Sequence, residues 1–221
     1  MLKIKDYKSL IFDCDGVILN SNNIKTNAFR VASSPFGTKA SMSLESYHLK
    51  NGGVSRYAKF DYFLTYIVSI NCKERKASYL KKMLEIYSEE TEKGLLDSEV
   101  TYGLDSLREK TKYSSWSIVS GGDQDQLHYI FSKKKIQHLF DGGIFGSPDT
   151  KNKILNREIA KGTIKLPALF LGDSSLDHQV SIANGIDFIF VSSWTEFRNY
   201  KEYCIKNSIE IISKVYELML N

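Results

Sequence analysis

The stretch from Leu10 to Leu19, LIFDCDGVIL, constrains this chain more than any other. An apolar run climbs to Asp13, a second carboxylate follows at Asp15, and Gly16 permits a sharp turn before apolar residues resume. Ile11 and Phe12 are strand formers, and a short continuous apolar run suits a strand buried on both faces of a parallel sheet. Two aspartates two residues apart on a continuing strand point the same way, and their charges repel unless a divalent cation or a shared proton intervenes. The blander reading is an Asp-Gly turn between two strands, so the rest of the chain has to decide.

With 221 residues, 25% of them charged and 42% hydrophobic, the chain suits a globular domain of ordinary size or a core with a smaller insert. There is no apolar stretch near 18 residues, and the start of the chain is too short and mixed for a signal peptide, so a cytoplasmic protein without membrane contact is expected. Cys14, Cys72 and Cys204 are widely spaced and never paired as C-x-x-C, which argues against a disulfide framework or a zinc site. Cys14 lies between the two aspartates, but no Arg follows to build the phosphate loop of a cysteine phosphatase, so a buried thiol is expected. The net charge of +4 is mild and its lysines are scattered; no nucleic-acid partner is expected.

After the opening strand, apolar residues recur at helical spacing over Ile24–Ala32, Ser41–Leu49, Arg56–Ile70 and Glu74–Glu92, with Asn51-Gly52-Gly53 breaking the second from the third. This predicts a helical insert over residues 20–94, its third helix dense in aromatics from Tyr57 to Tyr66. From Leu95 the texture alternates between strand and helix. Short strands are expected at Ser117–Val119, Phe140–Phe145, Ala168–Leu171 and Phe188–Val191, with helices from Asp123, from Lys151 and through Asp177, and two helices closing the chain. Residues 1–19 and 95–221 then make an α/β core: a doubly wound, Rossmann-like parallel sheet whose ligands bind at the carboxyl ends of the strands.

Those strand ends carry Asp13 and Asp15, then Ser120 and Gly121, then Lys151, then Asp173. Taken singly, each has an ordinary use as turn residue, solvated helix start or N-cap. Together they form a polar site in which aspartates offer hard oxygen ligands suited to Mg²⁺, and Lys151, the Ser120 hydroxyl and the glycine amides offer donors to a dianion. The ligand this implies is a phosphate ester. His48, His128, His138 and His178 stand apart from these motifs, so a phosphohistidine route lacks its nucleophile. Asp13 can attack phosphorus, and Asp15 can protonate the leaving group and later deprotonate water.

With FDCDGV, VSGG, GSPDTK and LGDSSLD in this order, the sequence resembles the haloacid dehalogenase superfamily of aspartyl phosphotransferases, over the whole chain and with a helical cap of the C1 type after the first motif. The resemblance implies Asp13 as nucleophile, Asp15 as acid and base, and Ser120, Gly121 and Lys151 on the phosphate. It also implies Mg²⁺ held by Asp13, the Asp15 carbonyl and Asp173, with Asp177 steadying Lys151 or a metal-bound water. The activity expected is hydrolysis of a small phosphate monoester, such as a sugar phosphate, by a monomer or weak dimer. The insert sequence LKNGGVSR is similar to the cap loop of β-phosphoglucomutases, which makes Arg56 the expected anion-binding residue and a sugar phosphomutase the rival reading. Lys25, where those mutases have a catalytic His, and Gly172, where they have an acid, favour hydrolysis. Readings from another class are a non-catalytic phosphate-binding module, which has no need of both Asp13 and Asp15, and an interaction module docking through the aromatic insert.

Overall fold

The computed structural model describes residues 3–219. Six strands, β1 (Ser9–Phe12), β2 (Ser115–Asp123), β3 (Gly143–Ser147), β4 (Ala168–Gly172), β5 (Asp187–Val191) and β6 (Glu210–Ile212), form one sheet in the order β3-β2-β1-β4-β5-β6. All neighbours pair in parallel. The strands carry apolar residues on both faces because both faces are covered. Leu10 and Phe12 face one cluster with Trp116, Ile118, Leu169 and Leu171, while Ile11 faces the other with Val119, Phe170 and Phe190. That alternation fixes the register of each strand, since a one-residue slip would exchange the two sets.

Helices α5 (Leu104–Lys110), α6 (Gln124–Lys133), α7 (Lys151–Ala160), α8 (Ser175–Ala183) and α9 (Tyr200–Lys206) make the crossovers and the covering layers. The strand order reverses direction at β1, which places the carboxyl end of β1 at the switch point where sheets of this kind bind ligands. Between β1 and α5 lie α1 (Asn22–Ser33), α2 (Thr38–Lys50), α3 (Arg56–Tyr62) and α4 (Lys73–Asp97). They have a separate apolar cluster centred on Phe29, Phe60, Phe63 and Tyr87. Its rings pack closely: the Phe29 centroid lies 5.1 Å from Phe60 and 4.6 Å from Tyr87.

The structure departs from the sequence reading in several places: β3 begins at Gly143 and not at Phe140, and α5 has no counterpart in that reading. The chain closes with one helix, the short edge strand β6 and a 3₁₀ turn over Val215–Met219, not two helices. Three residues long with two of them exposed, β6 lacks the apolar run that marks the inner strands. The third insert helix is interrupted: α3 stops at Tyr62 and continues as a π-helical turn over Phe63–Ile67. Strand β2 runs on to Asp123 through a register shift after Val119, and Asp123 caps α6 from outside by accepting the Gln126 N–H at 3.1 Å. Finally, α4 does not stop at Glu92; it carries Met83 and Tyr87 in the helical cluster and Leu95 in the sheet cluster, so one continuous helix joins the two cores.

Candidate active site

Beyond Phe12 the strand becomes a tight loop in which Cys14 O accepts the N–H groups of Ile18 and Leu19 at 3.0 and 2.9 Å. Gly16 has φ +78°, and a Cβ there would stand 2.1 Å from Asp173 Oδ2, so both the turn and the approach of Asp173 need glycine. Asp13 is buried; its Oδ1 accepts the Cys14 N–H at 2.7 Å and its Oδ2 pairs with Lys151 Nζ at 2.9 Å. Lys151 opens α7 and also reaches Asp177 Oδ1 at 2.5 Å, while Ser174 donates its hydroxyl to Asp177 Oδ2 at 2.6 Å. Both Asp177 oxygens are thus engaged, one by Lys151 and the other by Ser174. Asp173, at the end of β4, accepts Asn22 Nδ2 at 2.8 Å.

Electrostatics divides the acids. Burial pushes Asp13 up to about 7, with Lys151 opposing and Asp177 and Asp15 adding to the rise. Burial and the Asp13 and Asp177 charges likewise hold Asp173 well above the usual carboxylate range. Asp15 goes the other way: burial raises it, but the Lys25 ammonium on Oδ2 and the Ser21 hydroxyl on Oδ1, 2.6 Å away, outweigh burial and leave it low. Lys151 and Lys25 are both raised, since their carboxylate partners overcome the effect of burial. Cys14 is buried, and burial with the Asp15 charge pushes its thiol well up, so it is an unreactive core residue as expected.

Oxygens of Asp13, Asp173 and Asp177 lie within 4.8 Å of one another. With all four carboxylates ionised, the two ammonium groups Lys151 and Lys25 would leave two negative charges uncompensated. A divalent ion matches that surplus, and an all-oxygen donor set suits Mg²⁺, so the residues present fit the metal. Asp13 and Asp173 have the carboxylates whose ionisation is least satisfied by the protein alone.

Ser120 is fully buried at the bulged end of β2, where its Oγ accepts the Gly122 N–H at 3.0 Å. Gly121 and Gly122 line a cavity of about 80 Å³ between the strand ends and the helical insert, along with Asp13, Asp15 and Asp173. The insert loop at Gly52 and Gly53 rests directly on this floor: a Cβ on Gly121 would meet Gly53 O at 2.2 Å, and one on Gly53 would meet Leu176 Cδ2 at 3.1 Å.

Arg56 lines the same cavity, but its guanidinium is committed across the seam between insert and sheet. Nη2 pairs with Asp123 Oδ2 at 3.2 Å, Nη1 donates to Gln126 Oε1 at 3.1 Å, and the buried Nε has no partner among the described residues. Tyr57 Oη donates to the same Asp123 oxygen at 2.6 Å. Of the other aromatics of the third insert helix, Phe60 and Phe63 are core, Tyr62 stacks on Tyr47 at 3.8 Å, and Tyr66 is exposed.

Sequence reasoning missed His48 and Lys59. His48 is not remote from the site: it lines the cavity, buried among cations, and burial followed by the charges of Lys59 and Lys25 pushes it down to about 2. A signal for Lys59 did exist. Arg56, Lys59, Phe60 and Phe63 follow the i, i+3, i+4, i+7 spacing of a buried stripe, so two cations sit where an insert core expects apolar side chains.

The sequence profile of the haloacid dehalogenase-like hydrolases matches residues 10–191, and the chain belongs to that family. No curated protein matches the sequence significantly. Among solved structures, a predicted phosphatase from Clostridium acetobutylicum superposes with a TM-score of 0.73 at 19% identity, covering 96% of each chain. A Lactobacillus plantarum protein ascribed phosphoglycolate phosphatase activity superposes at 0.72 and 19%, over 97% of this chain and 98% of that one. A β-phosphoglucomutase from Clostridium difficile superposes at 0.70 and 19%, over 96% and 93%. These likenesses extend to the helical insert as well as the sheet, and at such identity they speak for the fold. No described helix is long and apolar enough to cross a membrane.

Proposed function

We propose that this hydrolase is a Mg²⁺-dependent phosphatase that cleaves small phosphate monoesters, such as sugar phosphates and related metabolites, through an aspartyl phosphate on Asp13. The observation that carries this reading is the pairing of two acids of opposite character at one strand end: Asp13, buried against Lys151, and Asp15, held ionised by Lys25 and Ser21. A non-catalytic phosphate-binding module has no use for that difference.

Asp13 and Asp173, with the main-chain carbonyl of Asp15, would hold the metal; when bound it neutralises phosphoryl oxygens and favours the ionised nucleophile. Lys151, fixed between Asp13 and Asp177, and the β2 end at Ser120 and Gly121 supply the phosphate contacts. The Asp13 carboxylate attacks phosphorus as the ester oxygen leaves. The Asp15–Lys25 pair shares one proton; it yields that proton to the departing alkoxide and regains it from the water that attacks the aspartyl phosphate, so the pair ends as it began. Phosphate monoester hydrolysis needs accelerations up to about 10²¹-fold, more than any single donor supplies, which is why positioning, metal and proton transfer must act together.

A mutase of the β-phosphoglucomutase kind is the alternative, and two positions count against it. Lys25 occupies the place of the mutase His and is committed to Asp15. Gly172 has no room for an acid, because a Cβ there would lie 2.4 Å from the Asp177 Cβ. The test is product analysis on a panel of small phosphate esters: stoichiometric inorganic phosphate, abolished by EDTA and restored by Mg²⁺, is expected. Accumulation of an isomeric sugar phosphate with little free phosphate would replace this reading with the mutase.

A further inference from the structure

Three cations wall the insert side of the cavity from buried or half-buried positions, and they are not equivalent. Lys25 faces Asp15 and Arg56 faces Asp123. Lys59 is 2% exposed, yet among the described residues no carboxylate lies within ion-pair distance of it. Its nearest partner is His48 Nδ1 at 2.7 Å. An ammonium can only donate, so Nδ1 accepts and the imidazole proton sits on Nε2. From there the bonds run one way: Nε2 to Thr26 Oγ1 at 3.0 Å, and the Thr26 hydroxyl to Glu196 Oε2 at 2.8 Å. The relay begins in α3, passes through α2 and α1, and ends on the sheet side after β5, so it forms only with the insert seated on the core.

This relay uses one of the three N–H donors of Lys59 and leaves two for the cavity that the residue lines. An unpaired buried charge is costly, and burial together with the Lys25 charge pushes Lys59 down to about 7. An anion seated against it would remove that penalty. Glu196 reaches Lys59 only through His48 and Thr26, so a buried ammonium with two donors left over matches a carboxylate, which accepts two hydrogen bonds, better than a second phosphate. The cavity of about 80 Å³ is small; an engineered cavity of about 150 Å³ holds benzene. The leaving group is therefore short.

Resting on the phosphatase reading above, we propose that Lys59 is the specificity residue of this site and receives a carboxylate on the leaving group, so that the preferred substrates are phosphate esters of small hydroxy acids. The test compares kcat/KM for phosphoglycolate and for ethyl phosphate, its uncharged counterpart, in the wild type and in Lys59→Met, which keeps the length and apolar stem of the side chain. The wild type should prefer phosphoglycolate by at least about tenfold, and Lys59→Met should lose roughly 10- to 100-fold more on phosphoglycolate than on ethyl phosphate. Equal losses on both esters in a variant with wild-type circular dichroism, or no loss on either, overturn the proposal. Should Lys59→Met fail to fold, the wild-type ratio decides alone. Turnover of p-nitrophenyl phosphate without any preference for phosphoglycolate sinks the carboxylate site and leaves the phosphatase standing; no turnover of any ester sinks both.

Discussion

The sheet side of the cavity gathers carboxylates that Lys151 alone cannot balance, while the insert side lines it with Lys25, Lys50, Arg56 and Lys59, of which Lys59 is buried and, among the described residues, has no carboxylate within ion-pair distance. On the sheet side the acids are fixed by strand ends within one rigid layer, so the repulsion among Asp13, Asp173 and Asp177 exists whether or not the insert is closed. On the insert side, Lys25 and Arg56 find their carboxylates only across the seam, on Asp15 and Asp123. What each side lacks differs accordingly. The floor's acids could take a divalent cation, and the carboxylate proposed for Lys59 would complete the roof. On the proposed function, chemistry falls to the half that is preformed and selection to the half assembled across the seam.

This contrast can be broken by mutation, and the largest effect should come from the floor. Asp13→Ala and Asp13→Asn should bring turnover of every ester down to background, measured as released phosphate with contamination excluded; a variant with near wild-type activity would show that Asp13 is not the nucleophile. Asp15→Asn should cost 10² to 10⁴-fold in kcat, with the fold intact. The loss in phosphoenzyme formation should be smaller for p-nitrophenyl phosphate, whose leaving group needs no proton, than for an alkyl phosphate.

Arg56 belongs to both sides, rooted in the insert and paired with Asp123 at the end of β2. If its guanidinium serves the seam, as its bonds to Asp123 and Gln126 indicate, Arg56→Ala weakens closure by about 1.5–3 kcal/mol and lowers kcat/KM roughly 10- to 150-fold on all esters alike. If it reads the leaving group, as its place in LKNGGVSR suggested, the loss falls on the natural substrate and spares small generic esters. The pattern across substrates separates the two roles.

The smallest effect concerns pH. Lys59 is held near 7 in the folded protein against an ordinary 10.5, so between those values the unfolded chain binds a proton that the folded one does not. Its contribution is present above 10.5 and is lost as pH falls through that window to about 7. The drop in His48 acts below 6.5 with the same sign, and the rise in Asp13 acts between about 4 and 7 with the opposite sign, so neither disturbs the range above 7. With Mg²⁺ in excess and no substrate, the melting temperature should be several degrees higher at pH 9 than at pH 7, and Lys59→Met should flatten that slope. An unchanged slope would mean that Lys59 keeps its charge without help.

The floor was legible in the sequence because strand ends in a parallel sheet are marked twice, by an apolar run and by the Gly-rich loop after it. Asp13, Lys151 and Asp173 each lie beyond an apolar run that a glycine marks, so their common place at one end of the sheet could be expected without coordinates. The roof was not marked in this way. Lys59 and His48 lie on different helices, and which face of each helix meets the cavity depends on how α1, α2 and α3 pack around Phe29 and Phe60. Strand β6 was hidden for a simpler reason: an edge strand buried at one residue in three has no periodicity to read.

Gly121 and Gly53 touch where the two halves meet, and their bareness sets the width of the joint. A single methyl at 121 would have to clear an oxygen now 2.2 Å from where it would sit, which means parting the halves by about an ångström before ordinary contact is reached. That one displacement would stretch Lys25–Asp15, Arg56–Asp123 and Thr26–Glu196 together, although none of the six residues had been altered. The absent side chain thus acts as a shim of zero thickness, through which the Lys25–Asp15 pair, the Arg56 clasp and the Lys59 relay are set as a single mechanical variable.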